Sequence, residues 1–255
     1  MLSTIQRAIE AQDKVIAAAR ELKRSLMKHL FTYGPVPISE IAHVPLKQTE
    51  VGQIPEHWQT VTVGETGQVV TGTTPRTAVP DYYGGPYMFV SPGDIGEAKY
   101  VGQTEKHLTD RGMTVSRVLP RNSVLVVCIG ATIGKVAMTL AERCATNQQI
   151  NAIVPNKRFC PDFLYYAVSR RSLGLPSLAG RAAVPIVNKA NFEQFHLPCP
   201  PVEEQEEIAR TLSAVDDKLE FDKKRKAAQQ ALFKTMLHHL MTGKIRVPKT
   251  VTSEE

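Results

Sequence analysis

The same pattern of residues occurs near both ends of the chain, and the second copy lies 210 positions after the first without a gap. An internal repeat of this kind indicates one structural unit that is used twice. The fold must therefore accommodate two equivalent elements that flank a single unrepeated stretch. Identical pairs include Leu2 and Leu212, Ser3 and Ser213, Glu10 and Glu220, Lys14 and Lys224, Leu22 and Leu232, His29 and His239, Leu30 and Leu240, and Thr32 and Thr242.

Each copy of the repeat has the residue spacing of a long amphipathic helix. From Thr4 to about Thr32, apolar residues recur every three or four positions, and charged residues fill the other faces. Gly34 and Pro35 end this helix, and Gly243 ends the second one. The residues predicted for helix pairing or partner docking are Ile16, Leu22, Leu26, Leu30, Leu212, Val215, Leu219, Leu232, Met236 and Leu240.

The stretch between the repeats is rich in short β-prone runs separated by Gly and Pro turns. These runs are residues 61–63, 69–70, 87–90, 123–129, 135–138 and 150–154, and one helix is predicted from Phe163 to Arg171. The sequence therefore predicts an α+β fold, in which a mostly β domain is inserted between two long helices that pair as an antiparallel coiled coil. Asp222, Lys226 and Gln229 interrupt the apolar stripe, so a uniform two-stranded zipper is not expected.

The predicted boundaries follow these changes in composition. Residues 1–46 contain the first helix and a linker, residues 47–200 the β domain, residues 201–246 the second helix, and residues 247–255 a flexible tail. No apolar run reaches the roughly 18 residues that a membrane span needs, and the first residues lack the order of a signal peptide. A cytoplasmic protein without a membrane partner is expected.

Charge and cysteine usage restrict the class of partner. A net charge of +6 fits a polyanion, because clustered Lys and Arg release counterions when they meet phosphates. The four cysteines, Cys128, Cys144, Cys160 and Cys199, form no Cys-x-x-Cys pair. This spacing argues against a structural zinc site and against a secreted disulfide framework.

Seven short motifs follow one another in order along the chain: residues 52–58 (GQIPEHW), 71–75 (TGTTP), 83–86 (YGGP), 91–95 (SPGDI), 130–135 (GATIGK), 147–150 (NQQI) and 200–205 (PPVEEQ). The series resembles the DNA specificity subunits of Type I restriction-modification systems, the HsdS family, over nearly the whole chain. Residues 52–58 match the Gly-x-Ile-Pro-x-x-Trp entry into the target-recognition domain of that family.

This resemblance implies a non-catalytic subunit that binds a specific double-stranded DNA sequence. In the family, paired helices space two recognition domains over two half-sites and dock the modification (methyltransferase) subunits, and the restriction subunit joins for ATP-driven cleavage. S-adenosylmethionine, ATP and Mg are then expected on the partner subunits, and no cofactor on this chain. Only one recognition domain is present, so the chain is either a half-length subunit that forms a homodimer or the second half of a longer chain.

Two parts of the sequence partly match catalytic signatures. The segment 130–135 lacks the first Gly and the final Ser or Thr of a phosphate-binding P-loop, so a turn between strands is expected. Asp81, Glu97 and Lys99 satisfy the loose pattern of a metal-dependent nuclease, although no apolar strand holds Glu97 rigidly. A third alternative is an interaction scaffold without affinity for DNA.

DNA reading needs cations and small donors at phosphates, and directional polar groups at base edges. Asn147, Gln148 and Gln149 have amides that pair with adenine, but their place in a shared motif favours a structural role. The residues predicted to contact DNA lie in loops and basic groups: Thr73, Thr74, Arg76, Lys99, Arg111, Arg117, Arg121, Lys135, Arg170, Arg171, Arg181 and Lys189.

Overall fold

The structure, a computed structural model, describes residues 2–179 and 185–245. Two predictions lie outside these residues, namely the DNA contact by Arg181 and the flexible tail at 247–255. The chain divides into two compact units. We call the residues up to Ser25 and those from Ala214 the helix-pair unit, and Leu26–Ser213 the β-rich unit.

Two long helices contribute residues to both units. Helix α1 spans Leu2–Tyr33, and helix α6, the last of the described chain, spans Val202–Met241. In the helix-pair unit they run antiparallel, because Lys23 of α1 contacts Asp216 of α6, whereas the earlier Asp13 contacts the later Lys226. The predicted antiparallel pairing of the repeated helices is confirmed.

The seam between these helices mixes apolar and polar side chains. Ile9, Gln12 and Ile16 of α1 are buried, as are Leu219 and Asp222 of α6. Their spacing of three and four residues is that of a coiled coil. A hydrogen bond from Lys218 to the Asp222 carboxylate lowers the pKa of Asp222. The polar seam residues agree with the expectation that this pair is not a uniform zipper.

The ten residues predicted for pairing or docking do not share one environment. Ile16 and Leu219 are buried in the helix-pair unit, where Val215, Met236 and Leu240 are partly exposed. Leu22 and Leu232 are 52% and 51% exposed, so they do not lie in the seam. For these two residues, only the docking role stays open.

Leu22 lies outside the seam because its neighbour in the sequence occupies the position that faces α6. The next residue, Lys23, faces α6, and its ammonium group lies 2.5 Å from the Asp216 carboxylate. Leu26, Leu30 and Leu212 lie elsewhere, in the core of the β-rich unit.

The β-rich unit contains the twelve strands of the described residues and four further α-helices. The helices are α2 (Val63–Thr66), α3 (Asp110–Thr114), α4 (Pro161–Arg171) and α5 (Lys189–Glu193). The strands are β1 (Leu46–Thr49), β2 (Gly52–Pro55), β3 (Gln59–Thr62), β4 (Gly67–Thr71), β5 (Tyr83–Val90), β6 (Lys106–Leu108), β7 (Leu119–Pro120), β8 (Val124–Val127), β9 (Val136–Met138), β10 (Arg143–Thr146), β11 (Ile150–Pro155) and β12 (His196–Cys199).

Two four-stranded sheets form the body of this unit, in the orders β6-β5-β10-β7 and β4-β11-β8-β9. Neighbouring strands are antiparallel except for β5 and β10, which are parallel. Two smaller pairs, β1 with β2 and β3 with β12, complete the pairing. All six predicted β-runs coincide with strands, and the predicted helix at 163–171 coincides with α4.

The main core of the β-rich unit includes the end of α1 and the beginning of α6. Phe31 of α1 stacks on Phe163 of α4 with ring centroids 5.5 Å apart, and both side chains are buried. Ile208 and Leu212 of α6 belong to the same cluster. The compact unit is therefore wider than the predicted 47–200 domain, because the helix ends supply part of its apolar interior.

Two of the sequence motifs meet at the start of α6. The indole N–H of the buried Trp58 donates to the Glu204 carboxylate over 2.8 Å, and His57 contacts the other carboxylate oxygen over 2.7 Å. The adjacent Gln205 side chain donates to the carbonyl of Pro200 and accepts from the backbone N–H of Cys160. These motif residues fasten α6 to the β-rich unit.

The predicted α+β class, with long terminal helices around a sheet domain, is confirmed by this arrangement. Over the described residues, every helix falls short of the length or the apolarity that crossing a membrane demands.

We expect Phe31→Ala to lower the free energy of unfolding by about 3 to 5 kcal/mol, because it removes a buried ring from a packed core. Urea denaturation measures the effect. The matched control is Phe221→Ala on α6, where the ring is 62% exposed and the expected change is within about 0.5 kcal/mol. Equal losses in both variants would contradict the packing described here.

Candidate nucleic-acid interface

Backbone hydrogen bonds gather several loops at one end of the two sheets. After β4, Gly72 N–H donates to the carbonyl of Ile150 over 3.0 Å, and Thr73 N–H donates to that of Thr146 over 2.9 Å. After β10, Asn147 N–H donates to the carbonyl of Val90 at the end of β5 over 3.1 Å. We call residues 72–76 and 147–149, together with the side chain of Arg117, the loop cluster.

The loop cluster depends on a close backbone approach at Gly72. A Cβ atom at this position would lie 2.0 Å from the carbonyl oxygen of Asn147 and 2.3 Å from the hydroxyl oxygen of Thr146. Neither distance is compatible with a side chain, so only glycine lets the two loops touch. The TGTTP and NQQI motifs are therefore two halves of one structure.

The three consecutive amides of the NQQI motif have different roles. Asn147 accepts from the backbone N–H of Gln149 and donates to its side-chain oxygen, both over 3.0 Å. Gln148 is exposed, and its oxygen accepts a hydrogen bond from the hydroxyl of Thr74 over 2.5 Å. The structural role expected for the motif applies to Asn147 and Gln149, while Gln148 presents its amide to solvent.

Cations border the loop cluster. Arg76 is exposed and follows the buried Pro75. Arg117 is exposed, and its guanidinium donates to the carbonyl of Thr71 over 2.8 Å, which places it beside the cluster. Arg111 pairs with Asp81 over 2.9 Å, and both side chains are exposed. Of the predicted contacts, Thr73, Thr74, Arg76 and Arg117 are thus brought together.

One predicted DNA contact, Lys99, is corrected by the structure because its side chain is buried, whereas Arg170 and Arg171 are partly buried and their contact with DNA stays a prediction. Lys99 is only 7% exposed, and its ammonium lies 2.5 Å from the Asp162 carboxylate. Arg170 donates to the carbonyl of Met27, and Arg171 donates to those of His196 and Glu50. Burial lowers the pKa of both arginines, and their hydrogen bonds to backbone carbonyls link neighbouring elements.

The remaining predicted cations are distributed elsewhere. Lys135 donates to the carbonyl of Ile95 over 3.0 Å, which holds its ammonium against the protein. Arg121 pairs with Glu142 next to the first residue of β10, whereas the loop cluster follows the last. Lys189 pairs with Glu193 one turn further along α5.

The GATIGK motif is a turn between antiparallel strands, as predicted. It connects β8 to β9, and Gly130 and Gly134 have positive φ angles of 97° and 93°. No helix follows it, so the backbone does not form the phosphate cradle of a P-loop. The motif is explained by turn geometry.

The nuclease hypothesis has no assembled site in the described residues. The Asp81 carboxylate pairs with Arg111, and the Lys99 ammonium pairs with Asp162 and Ser213. Across 2–179 and 185–245, no three His, Cys, Asp or Glu side chains are grouped so that they could hold a metal ion.

The loop cluster combines the two kinds of contact that a nucleic acid requires. Guanidinium groups and threonine hydroxyls suit phosphates, and the exposed Gln148 amide suits the edge of a base. Sequence reasoning did not single out Gln148. Three consecutive amides look alike in a sequence, and only the turn that locks Asn147 to Gln149 distinguishes the one between them.

Comparisons with known proteins relate the chain to one family. The family model described as the Type I restriction modification DNA specificity domain matches residues 55–229. The specificity subunit of the Type I restriction enzyme MjaIX from Methanocaldococcus jannaschii is 29% identical over 185 residues, which are 70% of this chain and 42% of that protein. The HindI specificity subunit from Haemophilus influenzae is 30% identical over 59% of this chain and 33% of that protein.

Two solved structures share the fold. The S subunit of a Type I restriction-modification system from M. genitalium matches with a TM-score of 0.64 and 14% identity, over 92% of this chain and 57% of that one. The HsdS subunit from Thermoanaerobacter tengcongensis matches with a TM-score of 0.60 and 15% identity, over 96% and 56%. The chain spans about half the length, or less, of the proteins it matches.

We expect Gly72→Ala to destabilise the loop cluster, because the added methyl group would overlap the backbone of Asn147. The expected loss is about 2 kcal/mol or more, typical of strain at a packed backbone contact. Thermal unfolding measures it. Gly93→Ala is the matched control, since a Cβ atom there has no neighbour within 4 Å. An undisturbed Gly72→Ala variant would show that the two loops do not touch.

Proposed function

Because the chain belongs to the family of Type I restriction modification DNA specificity domains, we propose that it reads one half of a two-part duplex DNA sequence for a Type I restriction-modification complex. The observation that carries this proposal is the loop cluster. There, Arg76 and Arg117 supply charge for phosphates, and Thr74 orients the Gln148 amide toward solvent. Phosphate contacts position the protein, and the amide reads a base edge.

The helix-pair unit docks the methyltransferase subunits in this proposal. Supporting it is an exposed apolar stripe, which consists of Ala11, Val15, Ala18 and Leu22 on α1 and Phe221, Ala228 and Leu232 on α6. In the sequence, each stripe residue directly precedes a position that faces the other helix, at the spacing of three and four residues found in the seam. Exposed apolar residues in a regular row are typical of a helix that packs against a partner. The restriction subunit joins through this assembly.

A second recognition domain, from another copy of this chain or from a longer chain, is also part of the proposal. Leu30 and Phe31 of α1 are buried in the β-rich unit. Their counterparts after the shift of 210 positions are Leu240 and Met241 of α6, and Met241 is 80% exposed. The end of α6 therefore offers the surface that, in α1, holds a β-rich domain.

The chain itself is non-catalytic in this proposal and carries no cofactor. S-adenosylmethionine, ATP and Mg belong to the partner subunits, and the assembly works in the cytoplasm.

Motif-resolved methylation sequencing tests the reading function in cells that express the chain with its methyltransferase subunit. We expect a two-part motif. Gln148→Ala should relax one base position, because the amide contact is lost. Arg76→Ala should weaken binding to all duplexes about tenfold and lower the salt slope by about one, because it removes a phosphate contact.

Arg121→Ala is the matched control for the arginine variant, since it removes a cation near the opposite end of β10. Its DNA affinity should equal that of the unmodified chain. A chain that binds methyltransferase subunits but causes no salt-sensitive electrophoretic mobility shift of any DNA duplex is an interaction scaffold. This outcome contradicts the DNA-reading function. A palindromic motif identifies two copies of this chain, and an asymmetric motif identifies a second, different domain.

Docking is tested with Leu22→Glu and Leu232→Glu, which place a carboxylate in the apolar stripe. Co-purification of the methyltransferase subunit should fall about tenfold or more, because a charge is buried without a partner. Ala17→Glu and Ala227→Glu are the controls, since both alanines are exposed, lie outside the stripe and are separated by the same shift of 210 positions. Equal losses in all four variants would argue against the stripe as the docking surface.

A further inference from the structure

Thr74 and Gln148 form an exposed pair that joins the two loops of the loop cluster. The hydroxyl of Thr74 donates to Gln148 Oε1 over 2.5 Å, and both residues are exposed. Thr74 belongs to the loop after β4, and Gln148 to the loop after β10. The backbone N–H of the neighbouring Thr73 donates to the carbonyl of Thr146 over 2.9 Å, so the two loops are held side by side. Both loops therefore set the position of the Gln148 amide.

A count of donors and acceptors shows what the Gln148 amide can still offer a ligand. An amide oxygen has two lone pairs, and an amide nitrogen carries two hydrogens. Thr74 occupies one lone pair of Oε1. Within residues 2–179 and 185–245, no other group forms a hydrogen bond with this side chain. One acceptor position on Oε1 and two donors on Nε2 remain.

An acceptor beside a donor matches the edge of one base in the major groove. Adenine presents the acceptor N7 next to the N6 amino donor, and a glutamine amide can bind both. Guanine presents two acceptors there, cytosine one donor, and thymine one acceptor next to its methyl group. When Oε1 and Nε2 of Gln148 both face the base, adenine satisfies both atoms, and each other base satisfies only one of them.

The paired loops suit the major groove better than the minor groove. In the minor groove guanine also presents an acceptor beside an amino donor, but that groove is only about 6 Å wide. The major groove is about 12 Å wide and admits a two-stranded ribbon. The two loops are hydrogen-bonded side by side like such a ribbon, from Gly72 N–H to the Ile150 carbonyl and from Thr73 N–H to the Thr146 carbonyl. The adenine edge in the major groove is therefore the better match.

The hydroxyl of Thr74 controls which amide atoms face the base. Its hydrogen bond holds Oε1 in place next to Nε2. Without this bond the exposed side chain can turn so that Nε2 alone faces the base. An isolated amino group donates to the acceptors of guanine as well as to N7 of adenine. The discrimination between the two purines therefore depends on the hydroxyl.

We propose that Gln148 reads an adenine in the major groove, and that Thr74 is a positioning residue that determines the preference for adenine over guanine. The proposal rests on the proposed function, since it names the base that the loop cluster reads. Nε2 donates to N7 of the adenine, and the N6 amino group of the adenine donates to Oε1.

A change of one atom in the DNA tests the contact with N7. Methylation sequencing first identifies the base position that Gln148→Ala relaxes. A duplex with the motif then carries 7-deazaadenine at that position, where a C–H group replaces N7. The unmodified chain should bind this duplex about fivefold more weakly, or worse, because one bond of a bidentate pair is lost. Gln148→Ala should bind both duplexes equally, since it lacks the amide. Fluorescence anisotropy measures the affinities.

Three results would overturn the adenine assignment and leave half-site reading intact. Gln148→Ala relaxes no position, the relaxed position holds no A·T pair, or the unmodified chain tolerates 7-deazaadenine. A relaxed G·C pair would indicate reading in the minor groove. The absence of any two-part motif and of salt-sensitive DNA binding with the unmodified chain would instead contradict the proposed function.

Two variants of Thr74 separate its hydroxyl from its shape. Thr74→Val keeps the shape and lacks the hydroxyl, so the affinity for adenine relative to guanine at this position should fall about fivefold or more. Thr74→Ser keeps the hydroxyl and should keep the preference for adenine. Any other pattern overturns the positioning role, because a role of shape alone predicts that valine keeps the preference and serine loses it.

Gln148→Glu tests the count of donors and acceptors. A carboxylate accepts but cannot donate, and it suits the N4 amino group of cytosine. The affinity for cytosine relative to adenine at this position should therefore rise about fivefold or more. Gln149→Glu is the matched control, since it adds the same charge one residue away and its side-chain oxygen is already held by Asn147. An unchanged ratio in Gln148→Glu, or an equal change in Gln149→Glu, would contradict the proposal.

Discussion

Phe31 and Leu212 enter the core of the β-rich unit from helices at opposite ends of the chain, and their packing around α4 is the interaction on which the other features depend. The contact fixes where α1 ends and where α6 begins relative to the sheets. The pair of Trp58 with Glu204 and the network around Lys99 then refine this placement with directional bonds. Apolar burial supplies the stability, and the polar contacts supply orientation.

Polar groups in the loop cluster are divided between holding the loops and facing outward. Asn147 and Gln149 satisfy each other, and Gly72 lets the neighbouring loop touch their backbone. A surface that reads bases needs such internal bonds, because a mobile amide would lose conformational entropy whenever it bound a base. Gln148 can present its amide at a defined position since its neighbours hold the turn, and Thr74 limits its rotation.

The sequence predicted those features that leave a periodic pattern. The two long helices and the β-branched runs at β8 and β11 belong to this group, whereas short strands such as β6 and β10 were missed because their three or four residues form no apolar run. Side-chain direction was the main failure. Lys99 is an example, because the sequence predicts a surface charge whereas its ammonium pairs with Asp162 inside the fold. The sequence gives the charge of a side chain but does not show which group the side chain contacts in the fold.

The repeat gives the helix pair two equivalent faces for the proposed docking of methyltransferase subunits. Leu22 and Leu232 occupy equivalent positions on antiparallel helices, and their exposed fractions are nearly equal. Equivalent residues on two antiparallel copies of one helix are related by an approximate two-fold axis. In the proposed function, two identical methyltransferase subunits would therefore bind the stripe through the same contacts. The polar seam residues Gln12 and Asp222 fit this arrangement, because buried polar groups fix the register that keeps the two faces equivalent.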